Sequence, residues 1–438
     1  MTATLIRRDA ESLAAATPPS RDRYVDFLRA FSLGVVVLGH WLMAAVWYGD
    51  GRLGTANVLR FNEWAQVLTW AFQVMPLFFF VGGYANTASW AAARRDGVAY
   101  AGWLEGRLNR LVRPAAVFVL VWTVVALTAR ALEVPGATLR TANKVVALPL
   151  WFLGVYLVVT ALAPAMIAAH RRYGAAVPLL LGAAAGLVDV ARWGLGLRPV
   201  GLVNFALVWL LAHQLGVLWR DGRLTRRRAT PWLLAGTGLV ALLVLTQLAG
   251  YPVSLVGGVG QVRTNTHPPS LAVVAATLLQ LGLALALRAP VDRWLARPRP
   301  WAAVVAANGM AMTFYLWHLT ALVAASMVLL PSGLLPQPQA GTAAWWAWRP
   351  VWLAALALAL VPLVAAFAPF ERRPRHRRGT SVAIAPVAAT AALLSAAGMT
   401  TLALGGFTVA WLPLGLPLLG LGLLAAGTST LRLTRRVT

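Results

Sequence analysis

The chain has 438 residues, 59% of them hydrophobic and only 12% charged, a balance far outside that of a water-soluble globular domain. Its 38 Lys and Arg against 13 Asp and Glu give a formal charge of +25, which would fit a nucleic-acid binder if the arginines formed one continuous surface. They lie between long apolar runs instead, and the absence of cysteine excludes disulfides, thiolate metal sites and a cysteine nucleophile.

Residues 1–23, MTATLIRRDAESLAAATPPSRDR, are polar, basic and proline-containing, without the apolar core of a signal peptide. They read as a disordered cytoplasmic tail, and the next segment as an uncleaved signal anchor. A bilayer core takes about 20 apolar residues per helix. That window places spans at 24–48, 64–87, 114–132, 147–169, 175–191, 200–219, 231–249, 269–288, 303–330, 350–370, 382–402 and 408–426. The fifth is the weakest, because Asp189 and Arg192 close it.

With the N-terminus inside, inner segments carry 28 basic residues and outer loops nine, with Arg29 inside the first span. This positive-inside bias accounts for most of the charge and places both termini in the cytoplasm. The expected fold is an all-α polytopic bundle. Its domains are the tail 1–23, a ten-helix core 24–370, a basic linker 371–381 and a C-terminal two-helix hairpin within 382–438. No ionisable side chain interrupts the apolar runs of that hairpin, so packing or anchoring is its expected role.

The first span, VDFLRAFSLGVVVLGHW, carries Asp26, Arg29 and His40. Eleven residues separate Arg29 from His40, about 16 Å of rise and close to three whole turns, so both share one helix face. Asp26 sits at i, i+3 from Arg29, where carboxylate and guanidinium meet. About 21 Å of rise keeps it from orienting His40. Arg29 with Asp26 reads equally as a snorkelling pair, whereas a histidine at mid-membrane usually faces a polar cavity.

The second span ends in PLFFFVGGYANTAS, whose Gly82 and Gly83 allow close helix packing. GWLEGRLNRLVRP follows, with Arg107, Arg110 and Arg113 at steps of three and Pro114 expected at the first turn of the third membrane helix. Cations near a helix N-terminus gain from an anion such as a phosphate. From composition alone, ordinary inner-face charge or contact with anionic lipid is the better explanation of the cluster. The ninth span, AANGMAMTFYLWHLTAL, brings Asn308, Tyr315 and His318. His318 lies about as far along it as His40 along the first, so the two imidazoles are expected at similar depth. His213, nearer the cytoplasmic end of the sixth span, reads as structural. The chain lacks a Walker loop, a zinc-ligand pattern and a nucleophile elbow, and no metal is expected.

RDRYVDFLRAFSLGVVVLGHW, PLFFFVGGY, RLNRLVRP, LPLWFLGVYL and FYLWHL, in that order over about residues 21–370, resemble the integral-membrane acyltransferase family three. That family includes bacterial O-antigen, exopolysaccharide and antibiotic-sugar O-acyltransferases. Its Ser-Gly-Phe at the end of the second helix is replaced here by Gly82, Gly83 and Tyr84, so that serine's role does not carry over. The hairpin after 381 lies beyond the family core.

The resemblance implies transfer of an acyl group, commonly acetyl, from acetyl-CoA or another acyl-CoA as co-substrate, with no bound cofactor. The acceptor would be a hydroxyl of a glycan, glycolipid or glycosylated small molecule. His40 and Arg29 are then the catalytic residues, with His40 as general base. Arg107, Arg110 and Arg113 would hold the coenzyme phosphates. His318, Tyr315 and Trp151 would line the acceptor side, with the loop RTNTHPPS, including Asn265 and His267, above it. Expected partners are acyl-CoA, the acceptor and membrane lipid, without nucleic acid, at the plasma membrane. The alternative is a transporter or flippase, for which an internal repeat and matched broken helices would be expected.

Overall fold

The computed structural model describes residues 21–257, 263–371 and 385–431 together with Ser12, Thr17 and Pro18, and only the backbone of 426–431. Nearly all of the expected tail, and the linker beyond Glu371, lie outside the described residues. In chain order the elements are α1 (Arg23–Met43), β1 (Ala44–Gly49), β2 (Arg52–Asn57), α2 (Thr69–Phe72), α3 (Met75–Arg95), α4 (Tyr100–Ala131) and α5 (Gly136–Ala147). Then come α6 (Leu150–Tyr173), α7 (Ala176–Asp189), α8 (Asn204–Arg220), α9 (Thr230–Gln247), α10 (Leu271–Ala286) and α11 (Arg288–Leu295). The last are α12 (Pro298–Gly309), α13 (Ala311–Leu329), α14 (Ala343–Ala347), α15 (Arg349–Glu371), α16 (Ala385–Gly405) and α17 (Leu412–Leu431).

Among the described residues ten helices are long and apolar enough to cross a bilayer, or eleven if α10 and α11, bent by 52°, form one span; Leu412–Ala425 is a shorter apolar helix. The protein is a multi-pass all-α membrane bundle, and its helices fall at the twelve expected positions.

The first helix ends at Met43, not near residue 48. Asp50 and Gly51 both take positive φ, 49° and 71°, the two-residue turn whose twist suits a hairpin. The preceding AAVWYG therefore pairs antiparallel with Arg52–Asn57. The apolar run had hidden this turn. The third helix begins at Tyr100 and runs 32 residues, with Pro114 in its interior and not in its first turn. The arginines are thus two to four turns inside α4, and the dipole argument for an anion at its N-terminus lapses.

The ninth span is divided at Met310. Glu371 accepts from the backbone N–H of Met312 and Thr313 at 3.0 and 2.9 Å and from the Thr313 hydroxyl at 2.9 Å. It caps the donors that starting a new helix leaves unpaired. In the weak fifth span, Asp189 accepts from the Asn204 amide, the Tyr251 hydroxyl and the Leu271 N–H, so burial of this carboxylate is compensated.

The chain divides into two compact units. One comprises the residues up to Val36, Asn62–Ser89 and Ala163–Ala311; the other comprises Val37–Phe61, Trp90–Leu162 and the chain from Met312. In the first, α3 and α8 meet through Gly83 and Gly216. A Cβ at Gly83 would overlap the His213 carbonyl, and one at Gly216 the Phe80 carbonyl. This is the small-residue contact that lets membrane helices approach closely. In the second, the α16–α17 hairpin is tied to α5 by the Asn143 amide on the Phe407 carbonyl at 3.2 Å. Phe407 also meets the rings of Phe118 and Trp122 on α4.

Candidate active site

The second unit brings His40 and His318 together. His40 Nδ1 lies 2.9 Å from His318 Nε2, and the rings stack at 5.1 Å with 21° between their planes. His318 is fully buried, while His40 is partly exposed. The second nitrogen of His318, Nδ1, lies 2.7 Å from the Tyr315 carbonyl, and the Trp41 indole N–H donates to the His318 carbonyl at 3.0 Å.

These partners assign the protons. A carbonyl only accepts, so Nδ1 of His318 carries its hydrogen and Nε2 of the neutral ring is an acceptor. His40 then donates from Nδ1, which leaves its Nε2 as a bare lone pair. A backbone carbonyl, a buried imidazole and a half-buried imidazole thus form one directional chain that ends on a base, the arrangement in which a histidine is oriented for proton transfer.

The other expected residues fall in different places. Tyr315 is buried and donates its hydroxyl to the Pro149 carbonyl at 2.9 Å. Its own carbonyl, not its hydroxyl, faces His318. Trp151 is partly exposed at the start of α6, two residues beyond Pro149. Asn308 belongs to α12 and donates to the Asp26 and Val304 carbonyls.

Arg29 reaches Asp26 at 3.3 Å, the expected i, i+3 pair, and the second oxygen of buried Asp26 accepts from Arg21. His213 is fully buried beside Asn86 at 3.3 Å. Asn265 is consumed inside its own loop, donating to the Pro252 and Ser254 carbonyls and accepting from Ser270.

Arg110 and Arg113 are exposed on α4, whereas Arg107 is half-buried with its guanidinium 5.6 Å from the Trp103 ring centre. Trp103 meets Trp90 edge-on at 5.5 Å, and Arg94 lies over Trp90. The end of α3 and the first turns of α4 therefore set two arginines, Arg94 and Arg107, against two indoles.

Sequence reasoning did not anticipate a cavity of about 500 Å³ at the start of α1, lined by Arg21, Asp22, Arg23, Tyr84, Arg288 and Asp292. Asp22 organises it. One oxygen caps α1 by accepting from the backbone of Tyr24 and Val25; the other accepts from Arg288 and the Tyr84 hydroxyl, both at 2.9 Å. A helix-start Asp was the available signal, but partners 62 and 266 residues away were not legible.

No curated protein and no solved structure matched the chain. A family model described as an acyltransferase domain matches residues 22–368, most of the chain, including both histidines and the arginines of α1 and α4. The chain belongs to the integral-membrane acyltransferase family three and is a membrane acyltransferase.

Proposed function

We propose that the protein transfers an acyl group, acetyl in the first instance, from acyl-coenzyme A to a hydroxyl of a glycan, glycolipid or glycosylated small molecule. It does so in the plasma membrane with both termini cytoplasmic. The observation that carries this reading is the chain Tyr315 carbonyl, His318, His40 within a member of an acyltransferase family. A base with a fixed tautomer and one bare nitrogen is what activation of a weakly acidic hydroxyl requires.

In the proposed reaction Nε2 of His40 takes the acceptor's hydroxyl proton as that oxygen attacks the thioester carbonyl. The carbon–sulfur bond breaks, and the departing thiolate recovers the proton from His40. The imidazolium formed in between keeps its Nδ1–H on His318 Nε2, so positive charge develops against an oriented acceptor. Arg107, Arg110 and Arg113 hold the coenzyme's phosphates, and the pantetheine arm passes Arg29. Arg29 precedes His40 by about 16 Å of helix rise, a span comparable to that arm. Trp151 borders the acceptor side, and Tyr315 acts on His318 through its carbonyl.

The test supplies radiolabelled acetyl-CoA to membranes containing the protein and follows label into lipid-linked glycan, polymer and small glycosides. Label is expected in one of these fractions with wild type and not with His40→Ala. A folded His40→Ala protein that transfers label at the wild-type rate would overturn the base assignment. Movement of an unmodified substrate across the membrane without label transfer would favour a transporter.

A further inference from the structure

In the second unit, α1 ends three residues after His40 and runs directly into β1. A recess there is lined by Val46 of β1, Gln337, Trp345, Trp348, Arg349 and Trp352, among other residues. Val46 follows His40 by six residues, which limits their separation to about 20 Å.

Arg349 is nine-tenths buried, at 9% exposure, and its guanidinium carbon lies 3.6 Å from the ring centre of Trp345. Trp345, 2% exposed, packs in turn on Ala45 and Val58. The guanidinium therefore lies within cation–π distance of the Trp345 ring. Among the described residues Nε and Nη1 of Arg349 are buried without a hydrogen bond, as is the indole nitrogen of Trp352.

A buried cation is ordinarily paired. Guanidinium and indole nitrogens only donate, so two residues that line the recess carry three buried nitrogens without an acceptor. The Gln337 side-chain oxygen is already engaged by the Tyr48 N–H at 2.7 Å. The recess measures about 20 Å³, room for about one oxygen of an anionic group and not for a sugar ring. Trp348, 40% exposed at the rim, offers a flat apolar face to whatever carries that group.

We infer that this recess binds a carboxylate or phosphate oxyanion of the acceptor, held by the Arg349 guanidinium and by the Trp352 indole N–H, with the acceptor's ring against Trp348. The inference rests on the acceptor reading above and adds to it that the acceptor is anionic. Arg349 is a binding residue in this account and takes no part in proton transfer. Arg suits the position better than Lys because a planar guanidinium can lie against an indole and still carry several N–H donors.

The test uses the full-length protein in phosphatidylcholine nanodiscs without acyl donor, with glucose 1-phosphate, glucuronate and uncharged glucose as probes. Saturable binding of a charged probe, with glucose at least tenfold weaker, is expected. Arg349→Met should weaken the charged probe at least tenfold, and Trp352→Phe, which keeps the ring and loses the N–H, should weaken it several-fold.

Arg349→Lys serves as a second variant if the Met protein does not fold. It is expected to bind several-fold more weakly than wild type. Charged-probe binding that is absent, or equal in wild type and these variants, overturns the inference. Loss of probe binding when phosphatidylglycerol replaces part of the phosphatidylcholine would assign the oxyanion to a lipid headgroup and overturn the acceptor assignment. Because binding is read without chemistry, failure of His40→Ala to lose label transfer would overturn the catalytic reading while leaving this measurement intact.

Discussion

His40 Nδ1 lies 2.9 Å from His318 Nε2, although 278 residues separate them in the chain. The contact makes the two imidazoles unequal. His318 spends both ring nitrogens on protein partners, while His40 spends one and presents the other. Replacing His40 by Ala should lower the rate of acyl transfer by about 10²–10⁴-fold, the usual contribution of a general base. Replacing His318 by Ala should cost less, about tenfold to a hundredfold in kcat with little change in KM for either substrate, because the base survives and only its orientation is lost. His318→Gln, whose amide oxygen can accept from His40, should recover part of that loss. The check is kcat and KM for donor and acceptor in all three variants; an unchanged kcat in His318→Ala would remove the positioning role.

Arg110 and Arg113 are exposed on α4, while Arg107 is braced against Trp103. If the coenzyme phosphates dock there, Arg110→Gln with Arg113→Gln should raise the KM for acyl-CoA about tenfold or more and leave kcat near wild type. Each charge-assisted contact to phosphate contributes roughly 1.5–3 kcal/mol. The effect should shrink at high salt. Arg288 gives the contrast: it is held by Asp22 at 2.9 Å, so Arg288→Gln should lower thermal stability more than it changes the donor KM. Steady-state kinetics and thermal unfolding on the same preparations separate the two outcomes.

Much of this was legible in the sequence because helix rise is a fixed ruler. The Arg29 to His40 spacing, the Asp26 to Arg29 pair and the matched depth of His40 and His318 follow from counting residues along apolar runs. What was missed depends on turns and distant partners. Asp50 and Gly51 end the first helix five residues early, but the apolarity of AAVWYG outweighed that turn signal. The new helix after Met310 is capped at Met312 by the Glu371 carboxylate, 59 residues further on. The Arg349 recess is assembled from a strand, a connecting loop and two helix ends, so no single window of sequence displays it.

Gly83 and Gly216 set how closely α3 and α8 approach, since a methyl at either position meets backbone of the other helix. Gly83→Ala should therefore destabilise by about 1–3 kcal/mol, the cost of overpacking a tight contact. Gly34, where an added Cβ meets nothing within 4 Å, provides the control. Gly34→Ala should be neutral or stabilising by up to about 1 kcal/mol, because glycine is a poor helix former. Thermal unfolding in detergent distinguishes the two, and equal effects would refute the assignment of Gly83 to packing.

Glu371 closes α15 and caps α13, the helix that carries His318. Its two oxygens accept from Met312 N–H, Thr313 N–H and the Thr313 hydroxyl. Removing it leaves up to three donors without a partner at the first turn of α13, so Glu371→Ala should destabilise by about 1–3 kcal/mol. Glu371→Gln keeps one accepting oxygen and the side-chain length, and should lose roughly half as much. The first turn of α13 ends just before Tyr315, whose carbonyl holds His318. Fraying there should therefore loosen the imidazole pair as well as the fold. The expected signature is a kcat lowered more in the Ala than in the Gln variant, with donor and acceptor KM unchanged. A drop in unfolding temperature with wild-type kcat would confine Glu371 to stability alone.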